Sequence, residues 1–365
     1  MKAVILAGGK GEDLYPLTIT RPKAMSLVMN QPILERIIEN MPKEIDEIFV
    51  TTDHMADAIK KHFSEKAVKR RFAGRKIEIF EEERPLGTAG SIKQLEKNIQ
   101  ETFLVVQSDI ISSVDYFKLI NFHREKKAKA TMSSFRVKSP LDYGILGVDE
   151  DGRVMKFLEK PKIDQVFSTM INAGAYVFEP SVFEEVPAHG ICDFSGDVFP
   201  RMIRKGELVT ALEFKGIWTD IGSFKNYLEA HKLLLERSMT FSVQSKSKAS
   251  MIPPVLIGTG GKINAATIGP DVCIANGVDI GKNVKLTDSV VYGGVTIGEG
   301  CIVKGSIIGE GVTLGRNVVA VGTLIGDGAK IKDRVRIGSS SKIWPNTRVN
   351  KDVPEKEWFG FLRED

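Results

Sequence analysis

VYGGVTIGEGCIVKGSIIGEGVTLGRNVVAVGTLIG, residues 291–326, places an aliphatic side chain at every sixth position, often followed by glycine. The series runs Val291, Ile297-Gly298, Val303, slips by a residue to Ile308-Gly309, Leu314-Gly315, Ala320, then resumes at Ile325-Gly326. Upstream it includes Ile268-Gly269, Ile274, Ile280-Gly281 and Leu286, and downstream Ile331, Ile337-Gly338 and Ile343. Positions 291, 308 and 325 are 17 residues apart, the length of one coil in a three-sided solenoid. Internal periodicity of this kind marks a repeat architecture. A β-sandwich has frequent turns too, but no reason to keep a six-residue phase. One aliphatic per hexad is expected to point inward, with Gly or Asn easing the corners.

Outward from the repeats, TFSVQSKSKASMIPP (239–253) is polar, rich in Ser and Lys, and ends in Pro-Pro, so it reads as a linker. Before it the texture differs. AVILAG (3–8), EIFVTT (47–52), KIEIFEE (76–82) and FLVVQSD (103–109) read as buried strands. Between them ILERIIENM, HMADAIKKHFSEK and TAGSIKQLEKNI carry apolar residues at helical spacing. That alternation predicts βαβ units on a parallel sheet. YGILGVDEDGRVMKFLEKP reads as two strands joined by an Asp-Gly turn, and SFKNYLEAHKLLLERS (223–238) as a closing helix capped by Ser223. The expected boundaries are a catalytic domain at 1–237, a linker at 238–253, a solenoid at 254–352 and a tail at 353–365. In the tail, Trp358, Phe359 and Phe361 are placed to cap the last coil or dock a neighbouring subunit.

Composition narrows the class. The 365 residues suggest two domains at roughly 100–200 residues each. With 42% hydrophobic and 27% charged residues the chain is an ordinary globular one, not a disordered one. No run reaches the roughly 18 apolar residues of a membrane span. MKAVILAGGKGE reads as a first strand rather than a signal peptide. Cys192, Cys273 and Cys301 form no metal or disulfide pattern, which points to a cytoplasmic setting. A net charge of +4 without a long basic block offers no footprint for nucleic acid or a membrane surface.

Leu6-Ala7-Gly8-Gly9-Lys10-Gly11 follows the first strand directly, where glycines let backbone N–H groups approach phosphate oxygens. It is neither a dinucleotide fingerprint, since Leu14 stands at the third glycine position, nor a Walker A loop. LAGGKGEDLYPLTITRPKAMSLV (6–28) resembles the signature of sugar-phosphate nucleotidyltransferases, LAGG-x-GTRL-x-PLT-x-x-x-PK-x-x-x-x-V. RPLGTAGSI (84–92), VVQSDI (105–110), YGILGV (143–148), FLEKP (157–161), INAGAYVFEP (171–180) and GIWTDIGSFKNYLEA (216–230) match it further and in order. The resemblance covers nearly the whole chain. It implies an α/β fold: a Rossmann-like nucleotidyltransferase domain followed by a left-handed parallel β-helix of hexapeptide repeats. It also implies transfer of a nucleoside monophosphate from a nucleoside triphosphate to a sugar 1-phosphate, with release of pyrophosphate.

Carried onto this chain, the resemblance makes Lys23 a neutraliser of phosphate charge and Asp109 and Asp220 the holders of Mg²⁺. Two carboxylates suit a hard cation that also takes phosphate oxygens and water. Leu6, Ala7, Gly8, Gly9 and Gly11 would carry the nucleotide, with Pro85 and Gly87 beside the base. Gly144, Glu159, Lys160 and Asn172 would form the sugar-phosphate side. For the base, Glu81-Glu82-Glu83 precedes RPLGTAG. Guanine presents N1–H and N2–H₂ on one edge, and a carboxylate is a matched bidentate acceptor for them. Glu82 is the candidate reader, with its two neighbours as alternatives. The local motifs look most like those of mannose-1-phosphate guanylyltransferases, so the expected substrates are GTP and mannose 1-phosphate.

One departure stands out. The signature's GTRL is GEDL here, with Glu12 and Asp13 in place of Thr and Arg. The formal charge of that pair goes from +1 to −2. Three readings follow. Lys10 or Arg21 substitutes for the arginine, or the acids recruit a second cation, and the enzyme is active; Lys10 then counts among the catalytic residues. Alternatively the chain is a catalytically weak subunit that binds nucleotide-sugar and regulates an active partner. The third reading, an acyltransferase in the solenoid, lacks a histidine, since His54, His62, His123, His189 and His231 all precede it. A homo-oligomer is expected, because solenoid ends need covering.

Overall fold

The computed structural model describes residues 1–238 and 249–360. Most of the expected linker therefore lies outside the described residues, as does Phe361 with the rest of the tail. The chain divides into two compact units that interleave in sequence: Met1–Gly9 with Leu34–Trp218, and Lys10–Ile33 with Thr219–Asp365.

The first unit is built on a nine-stranded sheet. Its strands are β1 (Lys2–Leu6), β2 (Glu47–Thr52), β3 (Lys76–Glu81), β4 (Phe103–Gln107), β5 (Ala130–Arg136), β6 (Ile145–Val148), β7 (Val154–Leu158), β8 (Met170–Phe178) and β9 (Val209–Glu213). The order is β7-β6-β8-β4-β1-β2-β3, with β5 also on β8 and β9 on β5. The expectation of a parallel sheet holds for β4-β1-β2-β3, where Lys2 pairs with both Phe103 and Glu47, and Glu47 with Lys76. It fails beyond β4, where β8 runs antiparallel to β4, β5 and β6. Within this part β7 returns antiparallel on β6, as the Asp-Gly turn predicts, while β9 runs parallel to β5. The β6–β7 hairpin turns over a short loop, in which Asp149 Oδ1 accepts the Arg153 N–H at 2.8 Å, and so needs no crossover helix. The helix expected over TAGSIKQLEKNI is shorter than its pattern, ending at Lys93.

The sheet's core explains its stability. Val4, Phe49, Phe103, Val105, Tyr176 and Phe178 are buried on it with the helical residues Ala89, Ile92, Phe199 and Met202. Parallel strands covered on both faces read as continuous apolar runs, which is how VILAG and FLVV appear in the sequence.

In the second unit, residues 250–359 wind into three parallel sheets of very short strands, the arrangement of a left-handed β-helix. Ile274, Val291, Ile308, Ile325 and Ile343 stack in register down one face. Every aliphatic of the six-residue series is buried, but a second inward set accompanies it: Val278, Val284, Val295, Cys301, Val312, Val318, Ala329 and Val335. Each of these lies two residues before a series member, on the same side of its short strand. The hexad thus buries two side chains rather than the expected one. Trp358–Phe359 adds a last strand beside Lys342–Ile343, so the described part of the tail extends the solenoid. The closing helix, Phe224–Ser238, begins as expected, with Ser223 Oγ accepting the Asn226 N–H at 3.1 Å.

Candidate functional site

In the first unit the parallel register brings four chain segments to one edge. Leu6 lies level with Thr51 and Gln107, and Thr52 with Glu81. The ladder runs on past the strands, with Ala7 N–H donating to Thr51 O at 2.8 Å, Ser108 N–H to Leu6 O at 3.1 Å and Glu82 N–H to Thr52 O at 2.8 Å. Ala7–Gly9, Asp53, Glu82 and Asp109 therefore share the carboxyl edge of a parallel sheet, where ligands of such folds bind. A Cβ on Gly8 would stand 3.3 Å from Asp53 Oδ1, whereas one on Gly9 would meet nothing within 4 Å. The first glycine packs on the protein and the second faces open space.

This edge carries unsatisfied buried polar atoms. Glu82 Oε1 and Asp53 Oδ1 are buried without a hydrogen-bond partner. Glu82 is 5% exposed, while Glu81 and Glu83 are exposed. Burial pushes the Glu82 carboxyl above its usual range, and the Asp53 charge adds to this, against partial relief from Ser91, the Leu86 backbone and Thr51. Orphaned buried acceptors are costly and call for a donor. Asp53 was not among the expected site residues, yet the signal that singled out Asp109, an acid closing an apolar strand, applies equally to EIFVTTD.

Pro85 is exposed. Gly87 has a structural reason of its own: its φ is +75°, and a Cβ there would lie 2.6 Å from Cys192 O. The same carbonyl accepts the Ala89 N–H at 2.9 Å, and Asp193 Oδ1 accepts the Thr88 N–H at 2.9 Å. The PLGTAG turn is thus fastened to the Cys192–Asp193 segment.

The expected sugar-side residues converge, apart from one. Asn172 N–H donates to Gly144 O at 2.8 Å. A Cβ on Gly144 would come within 2.6 Å of Glu159 Oε2, so the glycine leaves room for that carboxylate. Asn172 Nδ2 donates to Tyr176 Oη at 2.9 Å and Ser195 Oγ at 3.3 Å, and its Oδ1 accepts the Gly174 N–H at 3.2 Å. Gln107 Nε2 reaches the same Tyr176 hydroxyl at 3.4 Å. Burial raises the Glu159 carboxyl, opposed by Lys160 and Ser195. Burial likewise raises the Tyr176 hydroxyl, with the Glu159 and Asp109 charges adding to it, so Tyr176 stays a neutral phenol. Lys160 is exposed, with a positive φ of 44°. Tyr176 and Ser195 were missed: a tyrosine in MINAGAYVF reads as core, and Ser195 has no sequence signal.

In the second unit, Lys10–Ile33 folds as a series of tight turns. Gly11 takes φ +69°, and a Cβ there would lie 3.1 Å from Lys23 Cβ. Thr18 Oγ1 donates to Gly11 O at 2.7 Å. Gly11 and Lys23, twelve positions apart in the chain, are thereby neighbours. Lys10, Glu12 and Asp13 are exposed. Arg21 is bound to Asp327 and to Glu310, the latter at 3.4 Å, with its guanidinium 4.5 Å from the Tyr292 ring centroid. Asp220 is half-buried; its Oδ1 accepts the Gly222 N–H at 2.8 Å and its Oδ2 the Asn226 Nδ2 at 2.9 Å. Among the described residues no three acidic, histidine or cysteine side chains form a metal-binding group. Cys192, Cys273 and Cys301 are buried and unbridged.

Residues 2–237 match the family described as nucleotidyl transferase, and residues 251–359 the GMPPB C-terminal domain. Over 250 residues the chain is 32% identical to a UTP–glucose-1-phosphate uridylyltransferase of Synechocystis, covering 66% of this chain and 64% of that one. Over 242 residues it is 34% identical to a mannose-1-phosphate guanylyltransferase catalytic subunit beta of Danio rerio, covering 65% of each. The match thus spans about two thirds of these relatives. Among solved structures, HddC from Yersinia pseudotuberculosis complexed with GMP-PN superposes with a TM-score of 0.53 at 28% identity, covering 64% of this chain and 99% of that one.

Proposed function

Because the chain belongs to the nucleotidyl transferase family, we infer that it transfers a nucleoside monophosphate from a nucleoside triphosphate to a sugar 1-phosphate, releasing pyrophosphate. The nucleotide is GTP and the sugar phosphate mannose 1-phosphate. The observation that carries the base is Glu82: a carboxylate 5% exposed, at the carboxyl edge of a parallel sheet, with Oε1 lacking a partner. Guanine N1–H and N2–H₂ would bring Oε1 the donor it lacks and add a second donor to the same carboxylate. Thymine, uracil and adenine present no such pair. The guanylyltransferase relative and the GMP-PN complex of HddC agree with this reading; the uridylyltransferase relative is its counterweight.

In the proposed reaction an oxygen of the sugar phosphate attacks the α-phosphorus. The bond from that phosphorus to its bridging oxygen breaks, and pyrophosphate leaves with the electron pair. No protein nucleophile is required. Ala7–Gly9 would lie along the nucleotide, and Lys23 would neutralise charge on the shifting phosphate oxygens. Glu159, Asn172 and Gly144 would hold the sugar hydroxyls, with Lys160 on its phosphate. Asp109 and Asp220, hard oxygen donors of the kind Mg²⁺ takes, would hold that ion in this reading. That ion, when bound, would neutralise phosphate charge and orient the α-phosphate for in-line attack.

A second reading has its own observation. Arg21 is engaged by Asp327 and Glu310, which leaves exposed Lys10 as the local replacement for the signature arginine. A chain lacking that donor would bind nucleotide-sugar and regulate an active partner. Pyrophosphate release with Mg²⁺, crossing GTP, ATP, UTP and dTTP with mannose and glucose 1-phosphates, separates the two. Turnover confined to GTP supports the first. Nucleotide binding by calorimetry without turnover on any pair supports the second. The proposal includes a cytoplasmic homo-oligomer; no helix of the described residues is long and apolar enough to cross a membrane.

A further inference from the structure

The corner carboxylates of the β-helix have a common task. Asp279, Asp327 and Asp333 each accept, through Oδ1, the N–H of the residue 17 positions earlier: Lys262 at 2.9 Å, Glu310 at 2.7 Å and Arg316 at 2.9 Å. Asp279 is exposed and the Asp333 side chain is 46% exposed, but that of Asp327 is only 17% exposed. The difference lies in its second oxygen. Asp327 Oδ2 accepts the Thr20 hydroxyl at 2.5 Å and the Arg21 guanidinium. Glu310, on the neighbouring coil, takes the same guanidinium, whose central carbon lies 4.5 Å from the Tyr292 ring centroid.

Six residues further on, the same loop is caught again. Leu27 N–H donates to Tyr292 Oη at 3.0 Å, Tyr292 Oη lies 2.6 Å from Tyr227 Oη, and Tyr227 Oη donates to Leu27 O. The two hydroxyls and the Leu27 peptide groups thus close a ring, which His231 Nε2 joins at 3.0 Å from Leu27 O. Asn30 Nδ2 adds a bond to Ile274 O at 2.7 Å. Lys23 lies between these anchors, its stem against Gly11.

We propose that Arg21 is a positioning residue: held by Asp327 and Glu310 of the β-helix, it sets the Thr20–Leu27 segment and so the placement of Lys23 on the substrate phosphates. The role of Lys23 rests on the nucleotidyl-transfer reading; the clasp itself does not. The β-helix is then part of the catalytic apparatus rather than an assembly module alone. Its contribution is pre-organisation, in which the loop is ordered before substrate arrives instead of at the transition state.

The test uses the full chain with Asp327→Asn, Arg21→Gln and the double variant, and with Asp333→Asn as a corner control. Asparagine at 327 keeps the Oδ1 acceptor for Glu310 N–H, as Asn276 does for Thr259 N–H, but turns a donor toward Arg21. Misplacement of a reacting group by about 1 Å costs on the order of 100-fold in rate. The expected result is a 10- to 100-fold fall in kcat in each single variant, with KM for the sugar phosphate within about two-fold. The double variant should be no slower than the slower single, and Arg21→Lys should recover part of the loss. Amide hydrogen exchange in residues 20–28 should accelerate while the Asp333→Asn chain behaves as the parent. Single variants with kcat within two-fold of the parent, losses that multiply in the double, or an equal loss in Asp333→Asn would each overturn the proposal. If the parent turns over no substrate pair, the functional reading fails by itself. Exchange then decides the clasp, and unchanged exchange of residues 20–28 in Asp327→Asn overturns it.

Discussion

Glu81 and Glu82 are consecutive at the end of β3 and meet opposite surroundings. Glu81 is exposed and takes Lys60 Nζ at 2.7 Å, whereas Glu82 is buried with an oxygen that nothing satisfies. Strand alternation produces the difference: the next side chain along an extended chain points to the other face. A surface ion pair such as Lys60–Glu81 contributes little. An unsatisfied buried acceptor, by contrast, costs about 1–3 kcal/mol until a donor arrives.

The first prediction concerns the base. In Glu82→Gln one acceptor is replaced by a donor, which then faces a donor on guanine. A bidentate base contact is worth about 1–3 kcal/mol, so kcat/KM with GTP should fall about 10- to 100-fold. UTP and dTTP, which present an acceptor beside a donor, should not lose. Steady-state rates with four nucleotides check this, and an equal loss on all of them would sink it. The sign with pH follows from the raised carboxyl. Binding guanine requires the ionised form, so kcat/KM for GTP should rise with pH through a limb above the usual carboxylate range, a limb missing in Glu82→Gln. Stability moves the other way. Between the ordinary glutamate value and the raised one, the folded chain holds more protons than the unfolded chain. The contribution is full below the unfolded value and is lost as pH climbs through the folded one.

The second prediction concerns GEDL. Glu12 and Asp13 are exposed, in a short turn that buries only Leu14, so replacing them does not disturb the core. Glu12→Thr with Asp13→Arg removes two like charges from the nucleotide's phosphates and restores a donor. One transition-state donor is worth about 10²–10³ in rate. The double variant should gain up to that factor in pyrophosphate release, and Lys10→Ala in the parent should lose activity. No gain in the first and no loss in the second would show that phosphate charge is handled elsewhere.

How far the sequence disclosed this structure depended on the range of the interaction. The six-residue phase was legible because an inward position in every coil must be aliphatic. The companion positions were less so, since on one face they are the buried hydroxyl residues Ser289, Ser306, Thr323 and Ser341. The carboxyl edge was legible through Asp109 and the glycines, because strand-then-turn is local. The choice among three adjacent glutamates was not, because it depends on which face of β3 is covered. Nor was the company kept by Thr20 and Arg21, whose partner Asp327 lies 306 residues beyond Arg21. The β6–β7 hairpin was legible through its Asp-Gly turn, whereas the antiparallel seat of β8 beside β4 was not, because those strands are joined by no local turn.

The third prediction is metal removal. Chelation should abolish turnover and added Mg²⁺ restore it. Asp109→Asn and Asp220→Asn should each lower kcat by more than about 10²-fold, since charge stabilisation at a transferring phosphoryl group is usually the largest single effect. Asn at 220 keeps an acceptor for the Gly222 N–H, so the local turn should survive. Calorimetry of nucleotide binding against Mg²⁺ concentration provides a second readout. Full activity of both variants would remove the metal from the proposal.

The fourth prediction separates volume from charge on the sugar side. A methyl group at Gly144 would come within 2.6 Å of both Glu159 Oε2 and Phe157 Cζ, so one of them has to move. The Phe157 ring is held against Phe199, 5.8 Å between centroids, which leaves the carboxylate as the group that yields. Overpacking of this size costs about 1–3 kcal/mol. Gly144→Ala should therefore lower thermal stability and raise KM for the sugar 1-phosphate, with KM for the nucleotide unchanged. Glu159→Gln changes the charge at nearly constant volume. Because burial already disfavours the ionised Glu159, its replacement should raise the same KM about ten-fold without lowering stability. Thermal melts beside initial rates distinguish the two variants. A sugar-phosphate KM that stays at the parent value in both would place the sugar away from Glu159.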